Sequence, residues 1–257
     1  MSATIRFIQI RFAASDSSRP SRRTFPGPPP VQAIEEPLAE VEPALPHLVV
    51  ALVPATCAKE WQPREEAFLA SSPVADEASV SLASRGVLVL RRPGRAVLIG
   101  DPDRFADVIA ALVELEFYEG ELRRLERDLQ QSEAEADGDV PHAFQIHSLE
   151  QRARFKERIE HFTRLRLDYA RLEPHWLRPP RDLSPRTRRW LAKLLERVET
   201  EERAEAVSER LELREELYEG AVDRMADYAG WRFGHRLEIA IIVLLLLEVI
   251  LISAELL

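Results

Sequence analysis

Residues 87–105, VLVLRRPGRAVLIGDPDRF, carry the change of period that decides the fold. On either side of Arg92-Pro93-Gly94 the residues are apolar and β-prone, which predicts a β-hairpin closed by a Pro-Gly turn. Asp101-Pro102 then supplies a helix start, with Asp as N-cap and Pro at the first helical position. Strands are expected before this point and helices after it.

Upstream, HLVVALV (47–53) reads as a buried strand, so residues 47–104 are expected to form a small α/β head. Residues 13–46 hold eight of the eighteen prolines and read as a Pro-rich linker. Residues 1–12 alternate imperfectly and read as a short strand.

Downstream, Val108, Leu115, Leu122 and Leu129 repeat every seven residues, with Ala111, Tyr118 and Leu125 as the companion series. This spacing predicts a coiled-coil helix. It is expected to end in the acidic, Gly-containing segment before Pro141. A second helix carries Phe155, Phe162 and Tyr169 at the same spacing. The pair reads as a coiled-coil helical hairpin over residues 105–183. Ser184-Pro185 restarts a helix, expected to run to 238 as a stalk with a register shift (a stutter) after Val198.

The last nineteen residues, IAIIVLLLLEVILISAELL (239–257), contain only Glu248, Ser253 and Glu255 as polar residues. A helix of that length spans roughly 28 Å, close to a bilayer core. The expectation is a transmembrane tail anchor, with Arg232, His235, Arg236 and Glu238 beside the membrane. Glu248 at the midpoint would face another subunit, be tolerated, or handle a proton or ion. Localisation in an inner membrane follows, with the N-terminal bulk in a bacterial cytoplasm or a mitochondrial matrix, the bacterium being favoured.

Composition narrows the function. The chain has 257 residues, 35 basic and 44 acidic side chains and a net charge of −9. One cysteine excludes an intramolecular disulfide framework. The charge is ordered in blocks: 114–151 sums to −8 and 152–192 to +7. The two blocks fall on the two hairpin arms, where they would set orientation more than stability. Arg152, Arg154, Arg158, Arg164, Arg166, Arg186, Arg188 and Arg189 form a candidate patch for an anionic partner. The alternatives for this block are pairing with the acidic helix, RNA phosphates and lipid headgroups.

The chemistry scan finds no G-x-x-x-x-G-K-S/T, G-x-S-x-G, H-E-x-x-H or C-x-x-C. No catalytic, cofactor-binding or metal-ligating residue is expected, and no cofactor. Cys57 and His175 are read as packed side chains.

Three stretches are similar to a known family. They are Phe105–Glu126, His175-Trp176-Leu177-Arg178-Pro179, and Ser208-Glu209-Arg210-Leu211 followed by Arg236-Leu237-Glu238 and IAIIVLLLLEV. Over about residues 80–257 the chain resembles the "required for meiotic nuclear division" family, a domain of unknown function with mitochondrial inner-membrane members and bacterial relatives. Ser208 stands where that family usually has Asn. The resemblance implies an oligomeric inner-membrane protein that supports translation by tethering or stabilising ribosomes, and it brings no catalytic residues.

The expected fold is therefore α+β: a small N-terminal α/β head with a β-hairpin, a long coiled-coil helical hairpin and a C-terminal transmembrane helix. The expected function is a non-enzymatic, tail-anchored, homo-oligomeric scaffold. Its partners would be membrane lipid, other copies and a ribosome or other RNA–protein assembly, with no small-molecule substrate. The alternatives are a membrane enzyme or ion- or proton-handling protein using Glu248, or a soluble coiled-coil oligomer that buries its C-terminal helix.

Overall fold

The computed structural model describes residues 4–14, 22–25, 30–38, 48–74, 78–143 and 149–255. It divides into two compact units: Met1–Arg124 with Arg171–Glu205, and Leu125–Ala170 with Ala206–Leu257.

The first unit is built on a seven-stranded mixed sheet. Its strands are β1 (Arg6–Ala14), β2 (Arg23–Phe25), β3 (Val31–Leu38), β4 (Leu48–Pro54), β5 (Val80–Ser84), β6 (Val87–Arg92) and β7 (Arg95–Gly100). Their order is β2-β3-β1-β4-β7-β6-β5. Among the described residues only β4 and β7 pair in parallel. All seven residues of β4 are buried, as expected for a strand covered on both faces.

One face is covered by helix α1 (Ala58–Ala70), whose Trp61, Phe68 and Leu69 pack on Val49, Ala51, Val53 and Val97. On the other face, Phe117 of helix α2 (Phe105–Ala143) stacks on Phe25 at 3.9 Å and meets Phe12 at 5.8 Å.

Two hairpins depend on left-handed residues. Pro93-Gly94 closes β6–β7, with Gly94 at φ 74°. Arg85-Gly86 closes β5–β6 with both residues at positive φ, 50° and 76°, as a type I′ turn requires. Gly100, at φ 154°, has no room for a side chain: a Cβ would meet the Gly86 carbonyl oxygen at 2.4 Å.

The stretch read as a linker, 13–46, is corrected where it is described, and 15–21, 26–29 and 39–46 lie outside the described residues. Residues 23–25 and 31–38 are strands, and β3 pairs with β1 over eight residues. Seven of the eight prolines fall outside those strands. The exception, Pro37, lies on β3 beyond the part that β2 covers, where a missing N–H breaks no ladder bond to β2.

Helices α3 (Leu149–Leu177), α4 (Pro185–Arg197) and α5 (Thr200–Glu255) complete the chain. Helix α2 continues through the acidic segment and Pro141 rather than ending in that segment. The expected stutter is a break. Helix α4 ends at Arg197, and Glu199 at φ 53° takes the left-handed conformation that terminates helices. Ser184 caps α4 by accepting from the Thr187 N–H at 3.1 Å.

In the second unit α3 runs antiparallel to both α2 and α5. Asp139 and Glu135 of α2 meet Arg154 and Arg158 of α3. Arg166 of α3 donates to Ser208 of α5, while Phe155, farther back on α3, packs on Tyr218. The core is Leu125 and Leu129 from α2, Phe155, Phe162, Leu165 and Tyr169 from α3, and Val207, Leu211, Tyr218 and Ala221 from α5.

The architecture is α+β, but the C-terminal transmembrane helix is not supported. Among the described residues no helix is long and apolar enough to cross a membrane. The apolar run whose side chains are described is Ile239–Leu247. The membrane and tail-anchor readings are withdrawn, together with the cytoplasmic or matrix topology drawn from them.

Candidate functional site

The eight arginines of the candidate patch are divided between the two units, five on α3 and three on α4. On α3, Arg154, Arg158 and Arg166 serve the helical bundle. Arg154 Nη2 lies 2.7 Å from Asp139 Oδ1, and Arg158 reaches both Glu135 at 2.5 Å and Asp139 at 3.8 Å. Tyr218 Oη donates to the same buried Asp139 at 3.2 Å. Burial and the Asp139 charge push the Tyr218 phenol up to about 12. Arg166 Nη1 donates to Ser208 Oγ at 3.0 Å and its guanidinium lies over Tyr169. Arg164 makes only a long exposed contact to Glu160 on its own helix, 3.9 Å. Arg152 lies in α3 with its side chain outside the described residues. Within this bundle the acidic and basic blocks meet as ion pairs.

Arg186, Arg188 and Arg189 belong to α4, in the other unit. Arg188 is half-buried, and its Nε has no hydrogen-bond partner. Arg186 and Arg189 are exposed and line cavities beside the β5–β6 hairpin. Three cavity-lining cations absent from the sequence patch, Arg85, Arg104 and Lys193, join them there.

A second polar cluster lies between β2 and the helices of the first unit. Arg23 Nε approaches Glu114 Oε1 at 2.5 Å, and its guanidinium also holds Asp182 in two contacts. Glu114 is 1% exposed, and Arg23 is the cation that faces it. Burial pushes its carboxyl up to about 7, against the pull of Arg23. His175 stacks on Tyr118 at 4.5 Å, and burial, with Arg23 nearby, holds its imidazole below the usual range. Trp176 Nε1 donates to the Tyr118 carbonyl at 3.1 Å. Glu119 accepts from Thr200 at 2.5 Å and pairs with Arg203 at 2.7 Å. These contacts join α2, α3 and α5 within the unit. They position helices.

The end of α5 differs from the rest of the chain. Eleven large apolar side chains between Trp231 and Leu247 are about half exposed or more, from 48% at Ile241 to 70% at Phe233. Among the residues expected beside a membrane, His235 stacks on Trp231 and lies 3.6 Å from Glu238, and Arg236 is exposed. The side chains of Arg232 and Glu248 lie outside the described residues, so the readings placed on Glu248 fall outside them too. No group of three or more His, Cys, Asp or Glu that could hold a metal occurs among the described residues.

No protein-family model matches the chain, and no curated protein matches it. Among solved structures, the CorA magnesium transporter from Methanocaldococcus jannaschii is similar at a TM-score of 0.41 and 10% sequence identity. The match covers 95% of this chain and 83% of that one. A likeness that weak carries no argument about function.

Proposed function

We propose that this chain is a non-enzymatic scaffold that assembles with copies of itself through the end of α5. The observation that carries the reading is the uncovered segment Ile239–Leu247, nine consecutive apolar residues. Successive helical residues turn by about 100°, so nine of them point in every direction around the axis. A helix that is apolar all round is stable only when it is buried. A groove on one side of a partner would leave half of the segment wet. Several copies of the same helix, packed about a common axis, cover it from all sides and in matching register.

The area is sufficient. Eleven half-exposed large side chains present on the order of 1,000 Å² per chain, taking aromatic residues as the guide to size. The largest apolar patch of a typical monomer is about 300–600 Å². A standard interface buries about 800 Å² per partner. The ribosome-supporting role implied by the family resemblance would be exercised by such an assembly, without a membrane span.

Light scattering after size exclusion in detergent-free buffer tests the reading. The whole chain is expected as a discrete oligomer, and the double variant Leu244→Glu/Leu246→Glu as a monomer. A wild-type monomer overturns it, as does a chain that gains a cover only on phospholipid vesicles.

A further inference from the structure

The first unit carries a cationic groove that self-assembly does not use. Its walls are the tip of the β5–β6 hairpin, the 3-10 turn Pro102–Arg104 before α2, and the first two turns of α4. Arg85 stands at the hairpin tip in its left-handed turn, and Arg104 donates to the Arg85 carbonyl, which ties hairpin and turn together. On α4, Arg186, Arg189 and Lys193 follow at three- and four-residue steps, so they share one helix face. The groove is two adjoining cavities of about 410 and 300 Å³ that share Arg85, Arg186 and Trp190. Trp190 is 6% exposed and forms a rigid apolar floor.

The charges in this groove are unbalanced. Six arginines outside the groove, Arg23, Arg91, Arg154, Arg158, Arg203 and Arg210, lie against carboxylates. Among the described residues, Arg85, Arg186 and Arg189 have no carboxylate partner, and Lys193 donates only to the Ser84 hydroxyl, at 3.1 Å. Arg104 has Asp101 at 3.4 Å in an exposed pair. Among the described residues that line the two cavities, the one carboxylate is Asp107. Its Oδ1 already accepts from Ser184 at 2.8 Å and Thr187 at 3.0 Å, which fixes it as part of the α4 cap. Like charges held together on rigid elements repel one another until an anion enters between them.

We propose that this groove binds phosphate groups, and that it takes two neighbouring phosphates of one ligand. Guanidinium forks match phosphate oxygens bidentately, and several forks around one cavity favour a multiply charged oxyanion over a single carboxylate. Two joined cavities with shared cations suit phosphates linked in sequence. Such phosphates occur in the backbone of single-stranded RNA and in free polyphosphate compounds. The N-terminus of α4 adds its partial positive charge from the same side.

The test uses the whole chain, with a labelled twelve-nucleotide oligouridine in fluorescence anisotropy and inorganic pyrophosphate in calorimetry. The variant is Arg186→Ala/Arg189→Ala. The control, Arg178→Ala/Arg181→Ala, makes the same charge change at exposed arginines outside the groove. All four side chains are exposed, and circular dichroism confirms that both variants fold. The groove variant is expected to bind at least about tenfold more weakly, and the control to stay within about twofold. If the oligonucleotide is the ligand that responds, its salt slope also falls by about 1.4, the value for two lost phosphate contacts on a single strand. Response to pyrophosphate alone supports the proposal with a free polyphosphate as the source. Binding of neither probe, or binding that the groove variant leaves unchanged, overturns it.

Discussion

Helix α5 contains two apolar regions with opposite fates. Between Ala206 and Ala221 the apolar residues recur at helical spacing, and Val207, Leu211, Tyr218 and Ala221 are all within 1% of complete burial. Between Trp231 and Leu247 the apolar residues crowd onto every face, and they are exposed. Both regions are helical and both are rich in Leu and Val or Ile. The difference is the angular distribution. A stripe about 100° wide is covered by two neighbouring helices of the same chain. A full circle needs more neighbours than one chain supplies. Periodicity therefore reports which apolar residues the chain can bury itself, and its loss marks where a second molecule is required.

The largest effect expected from this contrast is on assembly. Replacing Leu244 and Leu246 by Glu places two charges in the interface and should remove the oligomer entirely, while the melting profile of the bundle stays as it was. Loss of the bundle in that variant would break the contrast.

Within the closed region the expected penalty falls on stability instead. Leu211→Ala removes a fully buried side chain and should cost about 2–5 kcal/mol in denaturant unfolding, while Leu246→Ala should cost less than about 0.5 kcal/mol in the monomer. Equal costs at the two positions would show that the end of α5 is covered within one chain.

Glu114 is the polar counterpart of the uncovered leucines, a carboxylate buried beside Arg23. Its carboxyl lies near pH 7 in the folded chain against 4.5 in the ordinary case, so the folded state holds a proton that the unfolded state has released between those values. Stability therefore falls as pH rises through that window, by about 3 kcal/mol when fully expressed. Glu114→Gln should remove this slope and stabilise the chain at pH 8 more than at pH 4.5. An unchanged slope in thermal melts at the two pH values would contradict the burial account. The smallest effect is expected at Arg164, whose exposed contact to Glu160 is 3.9 Å long. Arg164→Ala should change stability by less than about 0.5 kcal/mol.

What could be read from sequence follows the range of the interactions. The seven heptad positions from Val108 to Leu129 are all buried, because a helix declares its core through spacing within one segment. The Asp101 and Ser184 caps act on N–H groups two and three residues away and are equally local. Strand β3 was hidden because its pairing with β1 lies outside its own segment, and nearby prolines outweighed it by count. The Glu199 break imitated a register shift, since both interrupt a heptad in the same way. The groove was hidden for a different reason. Arg85 and Arg186 are about a hundred residues apart, and arginine is abundant along the whole chain, so no single segment stands out. Pairing was equally invisible: within the one patch, Arg154 and Arg158 separate as bundle contacts from Arg186 and Arg189 as groove walls only once their surroundings are located.

Disulfide trapping tests the central claim most directly. Leu244→Cys places a thiol in the segment that copies are proposed to cover, and Leu213→Cys places one at an exposed position in the closed region, 63% exposed. The natural Cys57 is buried and stays silent. Under mild oxidation the account predicts rapid covalent dimers through position 244 and none through position 213. Equal trapping at the two positions, or none at position 244 in a folded chain, would contradict it.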